Sequence, residues 1–187
     1  DAPPIPGTSQ AHVFSGDELR ALMTGSDSAT VNRKLRWWQG VLLRLAGLLG
    51  ITRNARWLRR LSYAWMPVGK RVSIVGGGLV GLELAEFLAA RGRQVTVIEE
   101  GEKFGTELAI VRRWRVLEDL QQLGVVMMNK TRVLSINAHS LVLHGAGEQV
   151  AIDADTVILA SGATGDLSLA DLSRELGFET HVAGDCA

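Results

Sequence analysis

Gly76, Gly78 and Gly81, in the order Gly-x-Gly-x-x-Gly, and the carboxylate of Glu99, 18 residues beyond the last of them, carry the most chemical content in this 187-residue sequence. Gly76 permits a tight turn, Gly78 lets an anionic group approach bare backbone, and Gly81 lets a helix pack hard against a strand. Unpaired N–H groups where that helix starts, through Gly77, Leu79 and Val80, face phosphates, and the helix dipole favours negative charge there. At its spacing Glu99 is placed to accept hydrogen bonds from an adenosine ribose diol. The chemistry is the grip on a dinucleotide. Glu100 and Glu102 add negative charge that repels a 2′-phosphate, so NAD(H) is expected over NADP(H).

These groups need strand, turn, helix and strand in that order, and the pattern supplies them. The β-branched run Arg-Val-Ser-Ile-Val at 71–75 reads as a buried strand, 79–91 as the helix and 94–99 as the second strand. A helix at 108–123 and a strand at 125–128 follow. Three alternating runs at 131–136, 140–143 and 149–152 read as an antiparallel meander, and 156–160 as a last buried strand ended by Ser161-Gly162. The expected fold is α/β: a Rossmann-like parallel sheet with a glycine-rich turn and a β-meander, plus a basic helical hairpin.

That hairpin comes from the charge distribution. The chain has 20 basic and 20 acidic residues, which disfavours a uniformly basic nucleic-acid binder. Yet no acid lies between Ser28 and Leu82, where Arg33, Lys34, Arg36, Arg44, Arg53, Arg56, Arg59, Arg60, Lys70 and Arg71 accumulate with Trp37, Trp38, Trp57 and Trp65. Two helices, 31–49 and 55–65, divide at Gly50 and end before Pro67. Its readings are a solvated insert packed on the body, a surface for another domain, or interfacial membrane contact through Trp and Arg. Ser15-Gly-Asp-Glu18 is a capping box ahead of a short helix at 17–23.

The other reactive side chains form no constellation. Glu86 reads as solvated, whereas Glu83, two residues past Gly81, is able to turn toward a cofactor. The four histidines show no ligand spacing and take surface or turn roles. Cys186 is the only cysteine, which excludes a disulfide framework and an intrachain redox pair. No secretory signal is visible and the longest apolar stretch, 41–51, is too short to span a bilayer, so a cytoplasmic location is expected. A first residue of Asp1 rather than Met reads as an excised piece.

The run Lys70-Arg-Val-Ser-Ile-Val-Gly-Gly-Gly-Leu-Val-Gly-Leu-Glu-Leu-Ala-Glu86 resembles the NAD(P)H-binding module of two-dinucleotide-domain flavoproteins. The strand end Thr156-Val-Ile-Leu-Ala-Ser-Gly162 resembles the superfamily's Ala-Thr-Gly strand end, and the lead 2–7, the loop after Gly162 and the terminal Val182-Ala-Gly-Asp-Cys-Ala187 most resemble the C-terminal half of NADH:flavin oxidoreductases of the 2,4-dienoyl-CoA reductase and trimethylamine dehydrogenase type. The resemblance implies dinucleotide contacts from Gly76, Gly78, Gly81 and Glu99, a place near the nicotinamide for Glu83, and backbone close to the cofactor at Ser161 and Gly162. It also implies an FAD contact from Gly184 and Asp185. Ser161 stands where the family has Thr, and 31–66 has no counterpart in its best-known members.

The resemblance divides the chain into a lead from an FAD-type domain (1–30), the basic hairpin (31–67), an NAD(H)-binding domain (68–164) and a return segment toward the FAD-type domain (165–187). The first FAD fingerprint and the barrel are absent from the sequence, so the chain alone is expected not to hold FAD tightly and to turn nothing over. The expected function is to position NADH for hydride transfer to a flavin in the parent protein, with no side chain required as acid or base. The alternatives are a fragment of a membrane-peripheral NADH:quinone dehydrogenase and a non-enzymatic dinucleotide sensor or assembly module.

Overall fold

The computed structural model describes residues 5–16, 18, 68–160, 162 and 167–182. The basic hairpin, most of the short helix at 17–23, and Ser161, Gly184, Asp185 and Cys186 lie outside the described residues. The elements run β1 (Val13–Ser15), β2 (Arg71–Val75), α1 (Leu79–Ala89), β3 (Gln94–Ile98), α2 (Ile110–Gln122), β4 (Val126–Met128), β5 (Thr131–Ile136), β6 (Ser140–Gly145), β7 (Glu148–Asp153), β8 (Thr156–Leu159) and α3 (Ser168–Glu175). Five strands form a parallel sheet in the order β1-β8-β2-β3-β4, and β5-β6-β7 form a separate antiparallel sheet. This is the expected α/β architecture.

The parallel sheet is covered on both faces, and strand alternation divides the core in two. Val72, Ile74, Val95, Val97 and Ile158 pack with Leu82, Ala85 and Leu88 of α1 and Leu120 of α2. Their neighbours Ile98, Val157 and Leu159 turn to the other face and pack with Val133, Ile136, Leu141 and Leu143 of the meander. The β6–β7 turn is two residues, Ala146 and Gly147, both with positive φ, which suits the twist of a hairpin.

The described part of the lead contributes a strand of its own. Val13–Ser15 pairs with Val157–Leu159 as an edge strand of the parallel sheet. Pro6 O accepts the Ile136 N–H at 2.9 Å, and Gln10 Nε2 donates to Ile136 O at 2.6 Å. The described part of the lead is therefore hydrogen-bonded into both sheets. The capping box forms as expected: Glu18 N–H donates to Ser15 Oγ at 3.2 Å and Ser15 N–H to Glu18 Oε2 at 2.9 Å.

At the end of the sheet away from the glycine turn, Arg71 opens β2 and clamps the β7–β8 corner. Its backbone N–H, Nε and Nη2 donate to the Asp155 carboxylate at 2.9, 3.3 and 2.7 Å, and Nη1 reaches Asp153 at 2.6 Å. The Arg71 side chain first, then its backbone N–H, hold the Asp155 carboxyl below its ordinary value of 3.8. A lowered folded value means stability that is present above the ordinary one and lost as pH falls through the folded one. Asp155→Ala is expected to cost about 1 kcal/mol at pH 7, a size suited to a half-exposed pair. In urea titrations the gap between wild type and variant should close below pH 3.8; a gap unchanged from pH 7 to pH 3 would refute the assignment.

Candidate functional site

A cleft of about 840 Å³ opens at the carboxyl ends of β2, β3 and β8. It lies where the chain order reverses, since β2 has β3 on one side and β8 on the other. Crevices at such switch points are where open parallel sheets bind ligands. Gly76 makes the turn out of β2 with φ +113°, a left-handed value that favours glycine. Its N–H donates to Ile98 O at 2.8 Å, so the turn starts while still joined to β3.

The turn is held from beneath and from the side. A Cβ on Gly81 would collide with the carbonyl oxygen of Gly76, so α1 seats directly on the turn. Glu99, one residue beyond β3, spans two backbone segments: Oε2 accepts the Gly77 N–H at 2.6 Å and Oε1 the Gly101 N–H at 2.7 Å. Gly105 N–H donates to Gly77 O at 2.7 Å, and the Phe104 ring lies against Gly77. The loop 101–107 thus forms one wall of the cleft and is tied to the turn at both ends. Glu107 of that loop accepts the Leu79 N–H at 2.7 Å. The opposite wall is the meander, where a register shift between Val133 and Ser135 leaves Leu134 facing the cleft.

The structure brings Gly76, Gly77, Gly78, Leu79, Val80, Glu99, Glu100 and Gly162 together around this cleft. Gly81 is buried behind the turn and supports it rather than lining it. Glu83 is not among the lining residues. It lies one helical turn past Leu79 on the side facing α2, where its Oε1 pairs with Arg112 Nη2 at 3.0 Å. Glu86 is exposed, as expected. Glu100 pairs with Arg132 at 3.4 Å and Glu102 with Lys130 at 2.7 Å, both on the surface. Sequence reasoning missed Ile5, Lys103, Thr106, Glu107, Arg132 and Leu134 as lining residues. No motif spacing marks them, because they reach the cleft from three separate segments.

The donor set suits a dinucleotide. Backbone N–H groups and the start of α1 face the cleft, residues 76–78 of the turn carry no side chains of their own, and a carboxylate stands at the end of the second strand. These residues would hold the pyrophosphate at 76–80 and the adenosine ribose at Glu99. Among the described residues no helix is long and apolar enough to cross a membrane.

Comparison with known proteins agrees with this geometry. The sequence profile of the pyridine nucleotide-disulphide oxidoreductase family matches residues 39–186. The chain is 35% identical over 126 residues to a bilirubin reductase of Mediterraneibacter gnavus, covering 67% of this chain and 20% of that protein. It is 31% identical over 123 residues to the mitochondrial dihydrolipoyl dehydrogenase 1 of Arabidopsis thaliana, covering 63% of this chain and 24% of that one. Among solved structures, 2-naphthoyl-CoA reductase superposes with a TM-score of 0.61 at 20% identity, over 91% of this chain and 20% of the other. Histamine dehydrogenase from Rhizobium sp. 4-9 gives 0.50 at 22% identity, over 59% and 18%. The two structures share the fold, and the chain spans between a fifth and a quarter of the two curated relatives. With the glycine turn, the switch-point cleft and the profile match in agreement, this chain belongs to the pyridine nucleotide-disulphide oxidoreductase family as a dinucleotide-binding domain of a flavin-dependent oxidoreductase.

Proposed function

We propose that this chain is the NADH-binding portion of a larger NADH:flavin oxidoreductase, and that it presents the nicotinamide to a flavin held by the rest of the parent protein. When bound, the nicotinamide supplies hydride and the flavin accepts it. The residues of this chain bind and orient: the 76–80 turn takes the pyrophosphate, Glu99 the adenosine ribose, and Leu134 with Ile5 closes the apolar side of the cleft. The fold shared with 2-naphthoyl-CoA reductase and histamine dehydrogenase supports a parent of that architecture. The likeness to a bilirubin reductase supports a reductase as the parent. Ile110, Val111 and Trp114 of α2 and Leu169, Leu172, Leu176 and Phe178 in and after α3 are exposed, which supports burial of these faces by more of the parent.

One observation carries the nucleotide choice. Among the described residues the bonding partners of Glu99 are two backbone N–H groups and no cation, so its charge is oriented without being neutralised by them. A 2′-phosphate brought to that carboxylate meets like charge. Arg132 and Lys103 also line the cleft, but Arg132 is engaged with Glu100. Isothermal titration is expected to show NADH binding about tenfold or more tightly than NADPH, the factor given by about 1.4 kcal/mol of repulsion. NADPH binding as tightly as NADH would remove this reading of Glu99.

A further inference from the structure

Glu107 stands where the dinucleotide's phosphates would have to go. Its Oε2 accepts the Leu79 N–H at 2.7 Å, the first free donor of α1. Its Oε1 lies 2.9 Å from the position a Cβ on Gly78 would occupy, so the carboxylate covers the bare face that Gly78 opens. Helix α1 supplies no such group itself: its N-cap makes no side-chain hydrogen bond and its first turn holds no acid. The anion at its N-terminus comes instead from a loop 28 residues away. A carboxylate on a helix-start N–H uses the same hydrogen bond and the same dipole field as a phosphate oxygen.

We propose that Glu107 is a built-in competitor for the pyrophosphate, a side-chain gate that must swing off Leu79 before the dinucleotide seats. This inference rests on the reading above that the 76–80 turn receives the pyrophosphate. The gate has a fixed post: Gly105 N–H is bonded to Gly77 O at 2.7 Å, Leu108 N–H to Gly105 O at 3.0 Å, and Leu108 is buried. The Glu107 side chain is at the surface and is free to rotate outward over a backbone that stays in place. Opening leaves the wall of the cleft intact and frees the Leu79 N–H for the ligand. The apparent affinity of the site is then reduced by the fraction of time the gate is closed.

The test is titration of the full chain with NADH and, in parallel, adenosine, which lacks the pyrophosphate. Glu107→Ala is expected to bind NADH about tenfold more tightly than wild type, the change that follows if nine molecules in ten hold the gate closed. Glu107→Gln, which keeps an acceptor but loses the charge, should fall between. Adenosine should bind all three alike. Amide exchange supplies a second readout: the Leu79 N–H should be protected in wild type, unprotected in Glu107→Ala, and protected again when NADH is added. Equal or weaker NADH binding by Glu107→Ala, or a gain for adenosine matching that for NADH, overturns the gate and leaves the NADH site standing. Failure of wild type and both variants to bind NADH overturns the proposed function and the gate with it.

Discussion

Gly81→Ala is expected to lower stability by about 3 kcal/mol or more and to abolish dinucleotide binding. The added methyl would meet the Gly76 carbonyl oxygen, a backbone atom that no rotamer change can move aside, with the Ala160 Cβ 3.6 Å away behind it. Relief requires either that α1 lift from β2 or that the turn open. Lifting α1 exposes Leu82 and Ala85, both fully buried between helix and sheet. Opening the turn pulls the Gly77 and Leu79 N–H groups away from the carboxylates of Glu99 and Glu107 at the cleft. Urea denaturation and NADH titration of the same preparation measure both consequences. Gly16→Ala is the control, since a Cβ there meets nothing within 4 Å and the change should stay within about 0.5 kcal/mol. If Gly81→Ala proved as mild as the control, α1 would not be seated on the turn as described.

Glu99→Ala should weaken NADH binding about a hundredfold and cost about 2 kcal/mol of stability, values suited to two charge-assisted hydrogen bonds in a half-buried setting. The variant loses the tie between Gly77 and Gly101 together with the proposed acceptor for the ribose. Glu99→Gln separates chemistry from shape. Both partners of the carboxylate are N–H donors, so the glutamine oxygen can satisfy one while its amino group faces the other. The glutamine variant should therefore be nearly as unstable as the alanine variant despite its matching size. A stable Glu99→Gln would show that one of the two backbone bonds is dispensable. Unchanged NADH affinity in Glu99→Ala would remove the ribose role. With Gly81→Ala, this pair separates the two supports of the turn, one steric from below and one electrostatic from the side.

The part of the site confined to 71–99 was legible because it is a contiguous unit. Alternating or continuous apolar residues, glycines at fixed offsets and an acid at the next strand end each report local backbone geometry, and β2, α1 and β3 formed within two residues of the expected bounds. The meander was legible for the same reason, apart from β6 and β7 extending to the two-residue turn between them. Strand β1 was not, since three residues are too few to show a period and its pairing with β8 joins positions far apart in the chain. Helix α3 was also missed, although Leu169, Leu172 and Leu176 carry a helical spacing in sequence.

Glu83 and Glu107 show where such reasoning stops. Glu83 follows the glycines closely enough to be read as a cofactor contact, and packing of α1 against α2 gives it to Arg112. Glu107 carries no motif, yet the fold of 101–107 delivers it to the start of α1. The βαβ unit, the bare turn and the acid at its edge could be read from the residues alone, because they follow from propensities and offsets within one chain segment. Which donors those acids meet was set by folding, because it depends on loops and a second sheet converging from segments whose separation no local period records.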